Sequence, residues 1–594
     1  MRLADFVIDF LAKKNIKKVF TVSGGGSIFL CDALFKTKKL KYISCHHEQA
    51  VAFATESYSR LKNKPGAALV TTGPGGTNCL TGVACCWIDS VPTMFISGQV
   101  YLDQTIKKTR LRQIGVQEID IISMVKDFTK YSVLIKEPYE ILYHLEKAYY
   151  ESTNGRPGPV WIDIPADIQN AEIDIKKLKR FNPPKTNKKL NKLDNQIKKI
   201  AKLLARSKRP VIHIGHGGRI SNCEKILRKL VDRYKIPFAL TWNASDLMES
   251  SHPSYIGRPG AFAERGSNFI IQNADLYISV GTRLPFMVTG YNSKDFARKA
   301  KIVMIDIDSK ELKNTRVLAD HKLKVDAVYF LEKLMKALPQ KINLDKNWLD
   351  YCIKVRKKYP IVLDQYKKQK KSINSYYFID ILSDLLKPKD VVVTDMGLSF
   401  VGTHQAFKVK KGQRVFTNSG HAPMGWGLPA AIGAYYASIE SKGKKNIICL
   451  TGEGGLQMNI QELATVLHHK IPIKIFIYNN GGYLTIKQTQ QLGFKSRIMG
   501  SNYDSGLSFP NYKLVSKSHS IKYFQISDTK KIKNSISKIL KINEPVICEL
   551  ILDSEQEQMP KAINKRTSDG KSIPTTFEDM YPFLPKNELK SNIL

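Results

Sequence analysis

Short apolar runs alternate along the chain with longer stretches whose apolar residues recur at helical spacing. The first stretch, "MRLADFVIDFLAKKNIKKVF", puts Leu3, Phe6, Val7, Phe10 and Leu11 on one face and predicts an amphipathic helix. The runs "KVFTV", "AALVTTG", "TMFISG" and "PVWIDIP" are rich in β-branched and aromatic residues, and the last three end in glycine or proline. Each predicts a strand. The same alternation returns twice, through "RPVIHIG", "PFAL", "LYISVG" and "IVMIDID", then through "DVVVTDMG", "NIICLTG", "IKIFIYNN" and "VICELIL". Strands this apolar, with helices between them, predict an α/β protein of three doubly wound parallel-sheet domains. Their expected ranges are 1–180, 190–340 and 365–555, with a linker "KKLKRFNPPKTNKKLNKLDNQ" after the first and a polar, proline-containing tail over 556–594.

A length of 594 residues agrees with several cores. No apolar run reaches the roughly 20 residues that span a bilayer. The N-terminal helix carries charges throughout and lacks a cleavage site, so it does not read as a signal peptide, and a cytoplasmic protein without a membrane partner is expected. The nine cysteines include no CxxC pair and read as small buried hydrophobes. The formal net charge of +40 invites a nucleic-acid reading. The excess is mostly lysine, spread over the whole chain without a basic-aromatic cluster, so no nucleic-acid partner is expected.

Candidate chemistry concentrates where strands end. After "NIICL" come Thr451, Gly452, Glu453, Gly454 and Gly455, then a helical pattern. Strand, glycine turn and helix N-terminus form an anion-binding arrangement, because backbone N–H groups and the helix dipole converge there. The next strand delivers Asn479 and Asn480, then "GGYLTI". An acid at one strand end and amides at the next can share one hard cation such as Mg²⁺. In the first domain "SCHHEQAVAFATESYSRL" places Glu48 at the start of a helix, beside Ala50, Val51 and Ala54, where a carboxyl is poorly solvated.

The pattern GEG, 24 residues, NN is similar to the thiamine diphosphate signature GDG, 24 to 27 residues, NN. Over nearly its whole length the chain resembles the thiamine-diphosphate-dependent acetolactate synthase and pyruvate oxidase family. The resemblance implies thiamine diphosphate and Mg²⁺ as cofactors, with Glu453, Asn480 and the Gly482 carbonyl as metal ligands. Glu in place of Asp lengthens the reach by one methylene, so either the turn has moved back or the site is weakened. "HHEQA" resembles the family's catalytic segment, in which Glu48 would hydrogen-bond the pyrimidine nitrogen of thiamine. "SGGGSIFLCDAL" and "TTGPGGTN" imply Gly25, Thr72, Pro74 and Asn78 at the pyrimidine end. "TDMGLSF", "GHAPMGWGLPAAIGA" and the GEG turn imply Gly397, Ser399 as a donor to phosphate, Met424 between the cofactor rings, Gly452, Gly454, Gly455 and Tyr483. "IGVQEIDI" implies Gln117 as a catalytic polar group over the reacting carbon. The central domain, with "IGHGGRIS" and "GTRLPFMVTGYN", is similar to the family's flavin-binding or vestigial domain, which leaves FAD open. The resemblance also implies a homodimer or homotetramer, because the half-sites of such enzymes meet across a subunit interface.

The substrate expected from the resemblance is pyruvate or a similar small 2-oxo acid. Acetolactate synthases carry a second Arg in the pattern G-A-R-F-D-D-R-V-T-G, and a Trp nine residues after the metal Asn. Here the first reads "GTRLPFMVTG", with Arg283 kept but Pro285, Phe286 and Met287 following, and the second is Thr489. Both changes remove acceptor determinants. "RQIGVQEIDI" and "NNGGYLTI" look closer to relatives that transfer an acetyl unit to a ketosugar nucleotide. Two alternatives stand beside that expectation: an acetolactate synthase of branched-chain amino-acid biosynthesis, and a weakly active member with a binding or regulatory role.

Overall fold

Burial on both faces turns most of the apolar runs into interior strands of parallel sheets. The structure is a computed structural model and describes residues 1–106, 109, 111–184, 190–370, 372–441, 443, 445–494, 496–566 and 571–594. The first sheet holds β1 (Lys18–Thr21), β2 (Lys41–Ser44), β3 (Gly66–Val70), β4 (Thr93–Gln99), β5 (Tyr131–Leu134) and β6 (Pro159–Pro165), in the order β2-β1-β3-β4-β6-β5. The second holds β7 (Pro210–Ile214), β8 (Phe238–Leu240), β9 (Leu276–Val280), β10 (Lys301–Asp306) and β11 (His321–Lys324), in the order β11-β10-β9-β7-β8. The third holds β12 (Val391–Thr394), β13 (Arg414–Phe416), β14 (Ile447–Gly452), β15 (Lys474–Asn479), β16 (Lys522–Ile526) and β17 (Val546–Ile551), in the order β13-β12-β14-β15-β17-β16. Every pairing in these three sheets is parallel. Counted from its own first strand, each outer sheet has the order 2-1-3-4-6-5. The α/β class with three doubly wound sheets is therefore the observed one.

In such sheets ligands bind outside the carboxyl ends of the strands, where the order reverses. In the outer sheets that point lies between β1 and β3, and between β12 and β14. The helix Glu48–Lys62, which follows β2, packs against the helix Gly427–Ser438 of the third domain. A Cβ on Gly433 would lie 2.0 Å from the carbonyl oxygen of Ala54, so only glycine admits this approach. Ser57 Oγ donates to the Ala430 carbonyl at 2.6 Å across the same contact. Nearby, Arg60 is buried between Glu56 and Asp89, and Asn243 of the central domain donates to Asp89 Oδ2 at 3.1 Å. The catalytic candidate Glu48 thus sits on a helix clamped from both other domains.

Two expectations change. The linker expected after the first domain includes residues 185–189, which lie outside the described residues, and its end is already part of the helix Leu190–Arg206. The segment read as a tail, 556–594, returns to the central domain. Phe577 and Met580 are buried there, Asn268 Nδ2 donates to the Phe577 carbonyl at 3.0 Å, and Arg265 donates to the carbonyls of Met580 and Pro582. Polar groups of the segment are spent on partners in the protein, as in the pairing of Glu578 with Arg298. Among the described residues no helix is long and apolar enough to cross a membrane.

Candidate active site

The first half-site stands at the carboxyl ends of β2, β3 and β4. Glu48 is the first residue of its helix, and His47 caps that helix by accepting the Gln49 N–H on Nδ1 at 3.0 Å. The Glu48 side chain is buried, and its Oε2 accepts from Asn78 Nδ2 at 2.9 Å. Two residues expected separately, one as acid and one as lining, are therefore a bonded pair. The turn Thr71–Asn78 after β3 lies beside the loop Gly24–Gly26 after β1, where Gly26 N donates to Thr71 Oγ1 at 3.1 Å. Gly25 is exposed, and nothing lies within 4 Å of where its Cβ would stand. Pro74 is exposed and Thr72 is buried. Gln117 has φ +66° and an exposed side chain, and its carbonyl presses on Gly73, whose Cβ would lie 2.2 Å from it.

The second half-site stands at the ends of β12, β14 and β15. Glu453 begins the helix Glu453–Met458 and is 2 % exposed. Its Oε1 accepts from the backbone N–H groups of Asn480 at 2.9 Å and Gly481 at 2.8 Å. Burial nevertheless pushes its carboxyl up to about 7, against the pull of those N–H groups. The extra methylene of Glu thus carries the carboxylate onto the turn that follows β15. Asn480 Oδ1 is buried without a hydrogen-bond partner, which suits an oxygen donor awaiting a cation. Gly482 has φ +151°, and its carbonyl accepts the Leu484 N–H at 3.1 Å. Among the described residues no three His, Cys, Asp or Glu side chains converge on a metal position. One carboxylate, one amide oxygen and one carbonyl remain, an all-oxygen set that fits Mg²⁺.

The glycines around this half-site differ in role. The ring of Tyr483 closes over Gly454, 2.1 Å from where a Cβ would be, while Gly452 and Gly397 face open space. Gly455 lies against Asp395 Oδ2 and Thr451 Oγ1. Gly397, with φ +79°, precedes the helix Leu398–Ala406. Met424 is half-buried, next to Gly425. Ser399 is buried, and its hydroxyl donates to the Met396 carbonyl at 3.1 Å within its own turn. Asn479, the first amide of the pair, donates to Glu549 Oε1 at 2.5 Å and ties β15 to β17.

Sequence reasoning missed Asp395. It is fully buried between β12 and Gly397, accepts from Met396 N at 2.9 Å and Thr451 Oγ1 at 3.0 Å, and burial pushes it up to about 6. An acid between a strand and a glycine turn was its only signal. Gln99 and Asp163 were missed as well. Between the first and central domains a cavity of about 260 Å³ opens at the carboxyl ends of β7, β9 and β10, lined by Asp89, Arg156, His216, Gly217, Arg283 and Asp306 among others.

Three models of thiamine pyrophosphate enzymes match the chain: the N-terminal TPP binding domain over 1–124, the central domain over 197–334 and the C-terminal TPP binding domain over 395–550. The twin sheets and their carboxyl-end half-sites are thus those of a thiamine-pyrophosphate-binding enzyme. The chain is 34% identical to a probable acetolactate synthase large subunit of Methanocaldococcus jannaschii, covering 93% of this chain and 92% of the relative. It is 31% identical to the acetolactate synthase large subunit of Cyanidium caldarium, with 93% and 94% covered, and 29% identical to that of Lactococcus lactis, with 94% and 93% covered. The chain belongs to the acetolactate synthase family of thiamine-diphosphate-dependent enzymes.

Proposed function

We propose that the protein releases CO₂ from pyruvate or a similar 2-oxo acid and transfers the remaining two-carbon unit to an acceptor carbonyl, with a ketosugar nucleotide as the acceptor class. The observation that carries the reaction type is the Asn78–Glu48 pair, an acid oriented by an amide at the binding edge of the first sheet. Thiamine diphosphate, when bound, supplies a nucleophilic carbon and an electron sink. Glu48 accepts or donates the proton shared with the pyrimidine nitrogen, and Asn78 fixes which carboxylate oxygen faces it. Glu453, Asn480 and the Gly482 carbonyl would hold Mg²⁺, which would supply positive charge to the cofactor's diphosphate. The open positions at Gly25, Gly397 and Gly452 give the cofactor room at the backbone. The Gln117 amide lies on the solvent side, where a reacting carbonyl arrives.

The acceptor class rests on what the acceptor side lacks. Pro285 leads into the short helix Phe286–Thr289, with Phe286 against Tyr291, where a second guanidinium would grip a 2-oxo acid carboxylate. Thr489 is exposed on the helix Leu484–Gly493, and its hydroxyl is turned back to the Thr485 carbonyl. The relatives' names favour a second reading, acetolactate formation. The cavity between the first and central domains is the proposed place of a flavin, which would give a coloured protein that releases flavin fluorescence on denaturation. The enzyme is proposed to act in the cytoplasm as a homodimer or homotetramer.

The test supplies purified protein, thiamine diphosphate and Mg²⁺ with pyruvate alone, with 2-ketobutyrate, or with a ketosugar nucleotide. CO₂ release that rises only with the sugar is the expected result. Efficient acetolactate formation would move the assignment to the second reading. Absence of CO₂ release in every mixture would overturn both and leave a binding or regulatory protein.

A further inference from the structure

Below the first half-site lies a buried polar chain that the proposed chemistry does not use. Gln99, the last residue of β4, is 3 % exposed. Its Oε1 accepts the Thr72 hydroxyl and the Val100 N–H, the latter at 3.0 Å. Its Nε2 donates to the Ile119 carbonyl and to Asp163 Oδ2, both at 3.1 Å. All four bonding positions of one amide are filled. The arrangement also fixes which way the amide faces. Val100 offers only a donor and Ile119 only an acceptor, so a flip would set N–H against N–H and oxygen against oxygen. Asp163, an acceptor when ionised, agrees with them. The opposite oxygen of Asp163 takes the Ser97 hydroxyl at 2.6 Å, and Ser97 in turn accepts the Trp161 indole N–H at 2.8 Å.

The two strands of chain that Gln99 joins are the two that carry the site. Thr72 opens the turn that ends in Asn78, the partner of Glu48. Ile119 closes the loop that presents Gln117. These segments meet a second time where the Gln117 carbonyl presses on Gly73. Gln99–Thr72–Gly73 and Gln117–Glu118–Ile119–Gln99 therefore form a closed ring, anchored on the sheet through Asp163. The loop has a clasp of its own, because the buried Glu118 carboxylate accepts the N–H groups of Ile106 and Ile114. That clasp shapes the loop but does not tie it to the turn.

We propose that Gln99, held by Asp163, is a positioning residue that fixes the Gln117 loop relative to the Thr72–Asn78 turn. It touches neither cofactor nor substrate. It sets where the Gln117 amide stands with respect to the Asn78–Glu48 pair. The inference rests on the proposed placement of the site, and its test separates the two.

Gln99→Met keeps the volume and removes all four bonds. Thr72→Val removes one hydroxyl and keeps the shape, so it serves if Gln99→Met does not fold. Amide exchange read by mass spectrometry on the holoprotein, loaded with thiamine diphosphate and Mg²⁺, needs no knowledge of the acceptor. Protection of 111–119 and of 72–78 is expected to fall together in both variants, with the third domain unchanged. Turnover of pyruvate is expected to fall roughly ten- to hundredfold in Gln99→Met, while thiamine diphosphate affinity stays within about threefold. Asp163→Asn, whose amide oxygen can still accept from Gln99, is expected to keep most of the activity, and Asp163→Leu to lose it. A folded Gln99→Met or Thr72→Val with native exchange in both segments would overturn the inference. Glu48→Gln is the separate control. Full turnover in Glu48→Gln would overturn the placement of the site. Lost turnover there, with native exchange in the Gln99 and Thr72 variants, would overturn only the positioning role.

Discussion

Glu453 and Asp163 are buried carboxyls that burial pushes up to about 7. A raised acid holds its proton more firmly folded than unfolded. Between the ordinary carboxylate range near pH 4 and pH 7 the folded state therefore binds more protons, and the metal-free protein loses stability as pH rises through that window. For Glu453 the cation and the proton compete for the same oxygens. Mg²⁺-dependent binding of thiamine diphosphate is expected to tighten as pH rises to about 7 and then level off. Glu453→Gln should weaken it and flatten the profile, as titration by intrinsic fluorescence between pH 5.5 and 8 would read. Unchanged affinity in Glu453→Gln at every pH would remove Glu453 from the ligand set. The spacing of Glu453 and Asn480 was legible because both are fixed by strand ends. The bond from Asn78 to Glu48 was not, because it depends on β1 lying between β2 and β3 in the sheet. The local bonding of Ser399 was not legible either. A serine after a glycine turn reads as an anion donor, and only the structure shows that its hydroxyl also reaches the carbonyl of its own turn.

At the scale of elements, the strands evident in the sequence are nearly all interior ones. β2, β5, β11, β13 and β16 were not, and each lies at the edge of its sheet. β2 buries only Ile43, β11 only Leu323 and β16 only Ile526, while β5 buries no residue fully. Interior strands of parallel sheets are covered on both faces and read as continuous apolar runs, whereas edge strands need less cover and carry charge. β13 is hidden by its shortness. The contact between the helices Glu48–Lys62 and Gly427–Ser438 was equally silent, since small residues announce close packing only once a partner is known. It makes a sharp prediction. Gly433→Ala must displace the backbone of Ala54 and is expected to destabilise the fold by about 1–3 kcal/mol. Urea midpoints would measure this, and an unchanged midpoint would show that the helices separate without strain. Because Glu48 starts the displaced helix, activity is expected to fall in the same variant before stability is exhausted.

At the scale of the whole molecule, one chain carries the same sheet order twice, with a central domain between the copies, and each copy carries one candidate half-site. The class of fold was readable from the repeated alternation of strands and helices. The return of the final segment was not, because proline and polar residues read alike whether they meet water or a protein groove. Here they meet the helix Arg265–Asn273, whose nine residues are all buried. Arg298 pairs with Glu578, and Asn273 donates to the Asn592 carbonyl at 2.8 Å. Ending the chain after Thr575 is expected to leave this helix uncovered. Limited proteolysis should then cut within 190–340 while fragments of the first and third domains persist. Equal resistance of the shortened and full chains would show that the final segment adds no cover.

That segment also sets an order of events. The bonds from Arg265, Asn268 and Asn273 reach partners 315, 309 and 319 residues further along the chain. At roughly 5–20 residues per second, a ribosome needs on the order of 15–60 s to make that distance. Throughout it the central domain waits with one face unfinished. A transcript cut short in its last stretch would leave that face open, and the product would be marked for quality-control proteases while both outer sheets were already complete.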